Sequence, residues 1–243
     1  MAKRFFSTTP TDSEMVVLDG TEAHHALHVM RLNVGDQITL FDGCGKDFLA
    51  EIVNCQRKTV ILKILSELPT VREISPSLSI AVALPKGDRG EILVEKLTEL
   101  GVTSLIPIVT QRSITKVDDA KIAKLQRIVV ESSKQCGRSN LMKICSTVQF
   151  QDIFEQFSPD QTVLFHQSGQ KMLLSQYCNI AKQLCLIGPE GGWSPEELEM
   201  TDSKGVSILS FSNTVLRTET AAIAAATLLV SSRHTNSGSV GEN

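Results

Sequence analysis

Large aromatics are scarce: one tryptophan and one tyrosine in 243 residues. That is too few for a platform that stacks several bases in a row. Neither GxGxxG nor GxxxxGK[ST] occurs, which removes the commonest glycine-rich loops for dinucleotides and nucleoside triphosphates. Six cysteines (Cys44, Cys55, Cys136, Cys145, Cys178, Cys185) include no CxxC pair. In a chain of this length they read as free thiols, so a reduced, cytoplasmic protein is expected. The opening MAKRFFSTTP has no apolar h-region, so secretion is not expected. Ala221 to Val230 is the longest apolar run, about half of the roughly 20 residues that a membrane span needs. The net charge of −3 provides no global attraction to nucleic acid, so any RNA-binding face must be local.

What is present begins with strands. Met15–Leu18, Gln37–Phe41, Phe48–Val53 and Thr59–Leu65 are short β-prone runs, separated by the turn sequences Asn33-Val34-Gly35-Asp36, Asp42-Gly43-Cys44-Gly45 and Gln56-Arg57-Lys58. A helix from about Thr21 to Met30, with Thr21 as N-cap, interrupts them. Residues 1–72 therefore predict a small β-barrel domain. The two prolines between Leu68 and Pro76 mark a linker. Beyond it, the apolar strands Leu78–Leu84, Leu105–Val109, Thr162–Phe165 and Lys182–Ile187 alternate with amphipathic helices. One helix follows Gly87-Asp88 and stops at Gly101; another is capped by Asp118. Residues 73–233 thus predict an α/β domain on a parallel sheet, and 234–243 a polar tail.

Charge is uneven. Thr110 to Lys143 holds eight Lys/Arg and three acids, a local balance of +5, whereas residues 144–243 balance at −5. A basic helix on an otherwise acidic protein can track a phosphate backbone, and it can equally be a solvated face. His24 and His28 sit one helical turn apart, but no acidic or cysteine partner completes a metal site, so no metal is expected. Cys136, beside the basic helix, reads as a structural thiol rather than a nucleophile.

Two C-terminal stretches carry the chemistry. In Leu186–Leu198 (LIGPEGGWSPEEL) a buried strand runs into a glycine-rich turn, then into Ser194-Pro195-Glu196-Glu197, a capping box with proline at the first helical position. In Leu209–Val230 a short strand leads through Asn213 and Thr214 to Arg217-Thr218-Glu219-Thr220 and an apolar helix. Strand, glycine turn and helix is a way to hold a small molecule with main-chain N–H and C=O groups. Arg217 and Glu219 could serve such a site, or simply pair with each other or with the helix terminus.

GPEGGWSPEEL, followed some twenty residues on by VLRTETAA, resembles the C-terminal signature of the SPOUT class of RNA methyltransferases, and within it the RsmE family. Four further segments fit that family: Arg4-Phe5-Phe6, His25 to Leu32 with Gly35-Asp36, Lys86-Gly87-Asp88 with Glu99 to Val102, and Glu131 with Gln135 to Arg138. The match extends to about Arg233. It departs at Met30, where leucine is usual, and at Trp193, where phenylalanine is common. The resemblance implies an N-terminal PUA-like barrel and a C-terminal α/β domain tied in a deep trefoil knot. It also implies an obligate homodimer and S-adenosyl-L-methionine as methyl donor to N3 of a uridine in 16S rRNA. Whether the substrate is naked rRNA or the small ribosomal subunit stays open.

Carried over by motif, the cofactor would be held by Leu164 and His166, by Ile187, Gly188, Pro189, Glu190, Gly191 and Gly192, and by Leu209, Leu216, Arg217, Thr218 and Thr220. Leu186, Leu209 and Leu216 would line the adenine. Arg217 would hold the uracil oxygens, with Glu219 orienting it or relaying a proton. Arg4 and Arg31 in the first domain, with Lys121, Lys124, Arg127 and Arg138 on and after the basic helix, would meet RNA phosphates; Lys46, Arg57 and Lys58 would add to them. Two other readings remain: another SPOUT enzyme acting on a ribose or a tRNA base, and a non-catalytic ribosome-assembly factor.

Overall fold

A computed structural model describes residues 3–7, 13–69, 77–114, 117–172, 180 and 182–234, with side chains to 231. Most of the expected linker and all of the tail beyond His234 lie outside the described residues, as does Cys178. The chain divides into two compact units, Met1–Glu73 with Val130–Leu141, and Ile74–Val129 with Met142–Asn243.

The N-terminal unit is a five-stranded sheet in the order β1-β3-β4-β5-β2, built from β1 (Arg4–Phe6), β2 (Met15–Leu18), β3 (Gln37–Phe41), β4 (Asp47–Cys55) and β5 (Val60–Leu68). All neighbours are antiparallel except β1 with β3. Alternate residues of each strand enter one core, among them Phe5, Val16, Ile38, Phe48, Ile52 and Leu62. The predicted helix is present in two parts. α1 (Gly20–His24) starts one residue before Thr21, behind Asp19, and neither caps it with a side chain. Residues His25–Val29 then widen into a π-turn, with Met30 N–H donating to His25 O at 2.9 Å. Arg31 closes the turn at φ +53°, a left-handed position that glycine usually takes.

The C-terminal unit is a parallel sheet ordered β12-β10-β11-β6-β7-β8. Its strands are β6 (Ser77–Val82), β7 (Ser104–Val109), β8 (Lys143–Ile144), β10 (Thr162–Lys171), β11 (Lys182–Ile187) and β12 (Ser207–Ser210), with β9 (Val148–Gln149) pairing β7 separately. Strands β6 and β11 are buried on both faces, hence their unbroken apolar runs. The helices are α2 (Asp88–Glu99), α3 (Asp119–Cys136), α4 (Pro195–Ser203) and α5 (Thr218–His234). Asp118 caps α3 by accepting the Lys121 N–H at 2.8 Å, and Gly101 ends α2 at φ +83°. Residues of α3 from Val130 onward count with the N-terminal unit. Among the described residues no helix is long and apolar enough to cross a membrane.

Candidate active site

The carboxyl ends of β10, β11 and β12 meet at one cavity of about 280 Å³. Ligands of parallel sheets bind at such strand ends, because helix N-termini and loop amides gather there. Its wall comprises the end of β11 with the 188–193 loop, the end of β12 with the loop leading to α5, and the first turn of α5.

The glycine loop is held from beneath by groups distant in sequence. Trp193 is buried, packs at a tilt of 45° against Phe150 (ring centroids 5.0 Å apart) and donates Nε1–H to Phe165 O at 3.0 Å. A Cβ on Gly188 would stand 3.0 Å from that indole, so this corner has no room for a side chain unless the ring yields. Arg112 donates from Nη1 to Gly191 O at 2.9 Å and to Trp193 O at 3.3 Å. The capping box forms as predicted: Ser194 Oγ accepts the Glu197 N–H at 3.1 Å, and Glu197 Oε2 accepts the Ser194 N–H at 2.8 Å. The other oxygen of Glu197 accepts the Gln111 N–H at 2.9 Å. Thr218 ties the start of α5 to the loop by donating to Gly188 O at 3.1 Å. Preorganised main-chain groups of this kind lose little entropy when a ligand arrives.

Strand β10 shapes the opposite wall. Phe165 pairs with Leu209, and so does Gln170, so residues 166–169 are extruded from the ladder. Gly169 lies flat on the partner strand: a Cβ there would be 2.5 Å from Leu209 C and 2.7 Å from its N and O. Backbone cannot retreat as a side chain can, so Gly169→Ala is expected to lower the unfolding free energy by about 1–3 kcal/mol. Urea unfolding followed by Trp193 fluorescence checks this, and an unchanged midpoint would contradict the described contact. Within the extruded segment the Ser168 N–H donates to His166 Nδ1 at 3.3 Å, with the Ser168 hydroxyl 2.7 Å from the same nitrogen. Nδ1 is thus an acceptor, which leaves the ring proton on Nε2. Burial lowers the pKa of His166, keeping the ring neutral at pH 7.

Ten of the thirteen residues expected at the cofactor line the cavity: His166, Ile187 to Gly192, Leu209, Leu216 and Thr218. Three do not. Leu164 and the adjacent Leu186 belong to the apolar core, and their strand neighbours Phe165 and Ile187 face the cavity instead. Arg217 and Thr220 are exposed and lie off the wall. Sequence reasoning missed Phe165, Trp193 and Phe211, which line it, and Arg112, which clamps the loop; the lone tryptophan inside the glycine motif was the one available signal. Arg217 and Glu219 form no ion pair among the described residues. Glu219 is buried, and its Oε2 has no hydrogen-bond partner.

The basic residues divide sharply. Arg4 is not available to phosphate: it is buried, paired through both Nη atoms with Asp47 (2.5 and 2.9 Å), and donates to Arg138 O at 2.8 Å. Arg138 is likewise buried, at 3% exposure. Lys124 pairs with Glu91, and Lys121 is half-buried with Nζ 3.5 Å from Pro85 O, its pKa lowered by burial. Arg31, in the N-terminal unit, and Arg127, in the C-terminal one, are exposed. The rings of His24 and His28 lie 4.9 Å apart at a tilt of 46°, and no group of three His, Cys, Asp or Glu that could hold a metal occurs among the described residues.

The cavity has a distinct electrostatic character. Its lining carries one carboxylate, Glu190, and no lysine or arginine among the described residues. A pocket for a nucleoside polyphosphate needs cations or a phosphate loop; this one, whose single carboxylate faces Arg89 Nη1 at 3.6 Å, suits a ligand without phosphates.

Comparison with known proteins agrees with both units. Residues 73–230 match the RNA methyltransferase domain family, and residues 18–65 match the RNA methyltransferase PUA domain family. Ribosomal RNA small subunit methyltransferase E of Bacillus subtilis is 30% identical over 235 residues, which cover 91% of this chain and 90% of the relative. A methyltransferase of Legionella pneumophila, solved in complex with the cofactor SAM, superposes with a TM-score of 0.85 at 32% identity, covering 94% of this chain and 97% of that one. A ribosomal RNA small subunit methyltransferase E of Neisseria gonorrhoeae, bound to S-adenosyl methionine, gives a TM-score of 0.84 at 26% identity, covering 93% and 95%. With a PUA-like domain, a parallel α/β domain and this glycine-loop cavity, the chain belongs to the ribosomal RNA small subunit methyltransferase E family of RNA methyltransferases.

Proposed function

We propose that this protein methylates N3 of one uridine in 16S rRNA of the small ribosomal subunit, using S-adenosyl-L-methionine held in the 280 Å³ cavity. The observation that carries the reading is the cavity itself, with preorganised glycine main chain, apolar walls and a single carboxylate. Its residues fit that cofactor. Ile187, Leu209 and Leu216 supply apolar surface for an adenine, and the loops after β11 and β12 line the cavity around it. The absence of lysine and arginine from the lining suits a sulfonium, which a cation would repel. When bound, the cofactor supplies an electrophilic methyl group.

The protein's own contribution is to position the acceptor and stabilise the charge that forms on it. Uridine N3 is a weakly acidic imide nitrogen that must lose its proton, here to solvent water, before it becomes a nucleophile, and the negative charge then spreads onto O2 and O4. Arg217, exposed where the cavity loop enters α5, is the cation assigned to those oxygens. Glu219 is a positioning residue: its unpartnered, buried Oε2 is an acceptor for Arg217 once RNA draws that side chain inward. Arg31 and Arg127, with Lys46, Arg57 and Lys58, are the exposed residues left to meet phosphates. The trefoil knot, the homodimer and a cytoplasmic site of action belong to the same reading.

The test is methylation of naked rRNA and of isolated small subunits by the purified protein, with the modified base mapped by mass spectrometry and primer extension. One uridine carrying a base methyl that stops the polymerase is expected. Methylation confined to ribose hydroxyls or to tRNA would overturn the reading.

A further inference from the structure

A second cavity, of about 790 Å³, adjoins the first and shares with it Gln167, Ser210, Phe211 and Ser212. The partition between them is the segment extruded from β10, residues 166–169, held out of the ladder by the contact of Gly169 with Leu209. The lining of the second cavity differs in kind. Gln167, Ser168, Ser212 and Asn213 offer amides and hydroxyls, Phe211 offers a ring, and Lys171 is the one charged residue among those described. The one carboxylate of the first cavity faces Arg89 Nη1 at 3.6 Å, and its neighbour carries an ammonium.

We propose that the second cavity receives the acceptor uridine, flipped out of its RNA strand, with Gln167 at the junction reading the uracil edge. This rests on the methyltransferase reading above. Methyl transfer requires donor and acceptor atoms in van der Waals reach, so the two sites must be contiguous, and Gln167 is one of the four residues that line both cavities. The uracil edge presents a carbonyl on each side of N3, to which the Gln167 amide can donate, and Lys171, a donor with no acceptor, opposes the exocyclic NH₂ of cytosine. Phe211 meets Phe165 edge-on, with ring centroids 4.7 Å apart and planes at 74°. Phe211 also lines both cavities, which puts the ring within reach of a base. Lys171 favours the anionic form of the imide and the neighbouring phosphate, without the repulsion that a carboxylate in the same lining would add.

The experiment has two arms, both on the full chain. In the first, methylation of isolated small subunits is compared for wild type, Gln167→Ala, Gln167→Asn and Lys171→Ala, with calorimetric titration of S-adenosylmethionine as control. A fall in kcat/KM of at least 10-fold for Gln167→Ala, partial recovery in Gln167→Asn, a raised KM for Lys171→Ala, and cofactor Kd values within about two-fold of wild type are expected. In the second, saturation-transfer NMR with uridine 5′-monophosphate on protein saturated with S-adenosylhomocysteine is expected to give a signal that Gln167→Ala abolishes and that cytidine 5′-monophosphate does not give. Unchanged kcat/KM in an active enzyme overturns the assignment of Gln167 while leaving the proposed function intact. Loss of cofactor affinity in Gln167→Ala moves the residue to the cofactor site and likewise overturns it. If wild type methylates no rRNA yet binds uridine monophosphate through Gln167, the proposed function falls and the uridine site stands. If wild type gives no uridine signal, the site falls.

Discussion

Arg217→Ala is expected to reduce methylation of small subunits by about 10²- to 10³-fold, the loss that follows removal of one preorganised charge-stabilising donor. Charge develops on the uracil oxygens only as N3 loses its proton, so a guanidinium at that point favours the transition state more than the ground state. Affinity for S-adenosylmethionine should stay within about two-fold, because Arg217 lies off the cavity wall. Arg217→Lys should recover only part of the rate, since an ammonium keeps the charge but not the delocalised, multi-donor guanidinium that can meet a uracil carbonyl from one side. Single-turnover methylation together with calorimetric titration of the cofactor decides the matter. A rate equal to wild type removes Arg217 from the mechanism, and an effect confined to KM would reassign it to phosphate binding.

Asp47→Ala is expected to destabilise the N-terminal unit by about 3–5 kcal/mol, the range for leaving one member of a buried ion pair without its partner. Arg4 lies over the Phe41 ring at 4.4 Å, and after the substitution its acceptors would be Arg138 O and, at 3.3 Å, Ser139 Oγ. The guanidinium would then keep its charge in a site built for neutralisation. Residues 130–141 belong to the same unit and are held there a second time by Lys134, whose Nζ lies 2.8 Å from Glu22 and 3.2 Å from Glu131. Hydrogen exchange read by mass spectrometry should therefore show peptides 37–55 and 130–141 losing protection together. Trp193 lies in the other unit, so its fluorescence should report little change at low denaturant. Replacing both members with apolar residues, as in Arg4→Met with Asp47→Leu, should restore much of the lost stability, because the desolvation penalty disappears with the charge. Equal stability of Asp47→Ala and wild type would contradict the buried pair.

What could be read in advance was local along the chain. The capping box at Ser194, the Asp118 cap, the stop at Gly101 and the apolar runs of β6 and β11 each declare themselves within a few residues, because their interactions close over one turn or one strand. The glycine turn and the Arg217–Glu219 segment were legible for the same reason, and the family resemblance attached a cofactor to them. Which face of a strand looks where was not legible. Leu164-Phe165 and Leu186-Ile187 are apolar throughout, and a strand buried on both sides has no period to read; only the sheet assigned the leucines to the core and their neighbours to the cavity.

The fate of the charges was further from reach, because an arginine looks the same in sequence whether it meets water, phosphate or a carbonyl. Local composition by itself determined two kinds of architecture, a parallel α/β sheet with a glycine-turn ligand site and a preceding β domain. Tertiary structure alone decided that Arg112 clamps the Gly191 and Trp193 carbonyls, 79 and 81 residues away, and that Arg4 is buried against Asp47 and the Arg138 carbonyl. It also left Glu219 Oε2 without a partner and set a second cavity beside the first. The physical reason is common to all four: each depends on which distant segments the core brings together, and the free energy of a charge is set by those neighbours rather than by its own position in the chain.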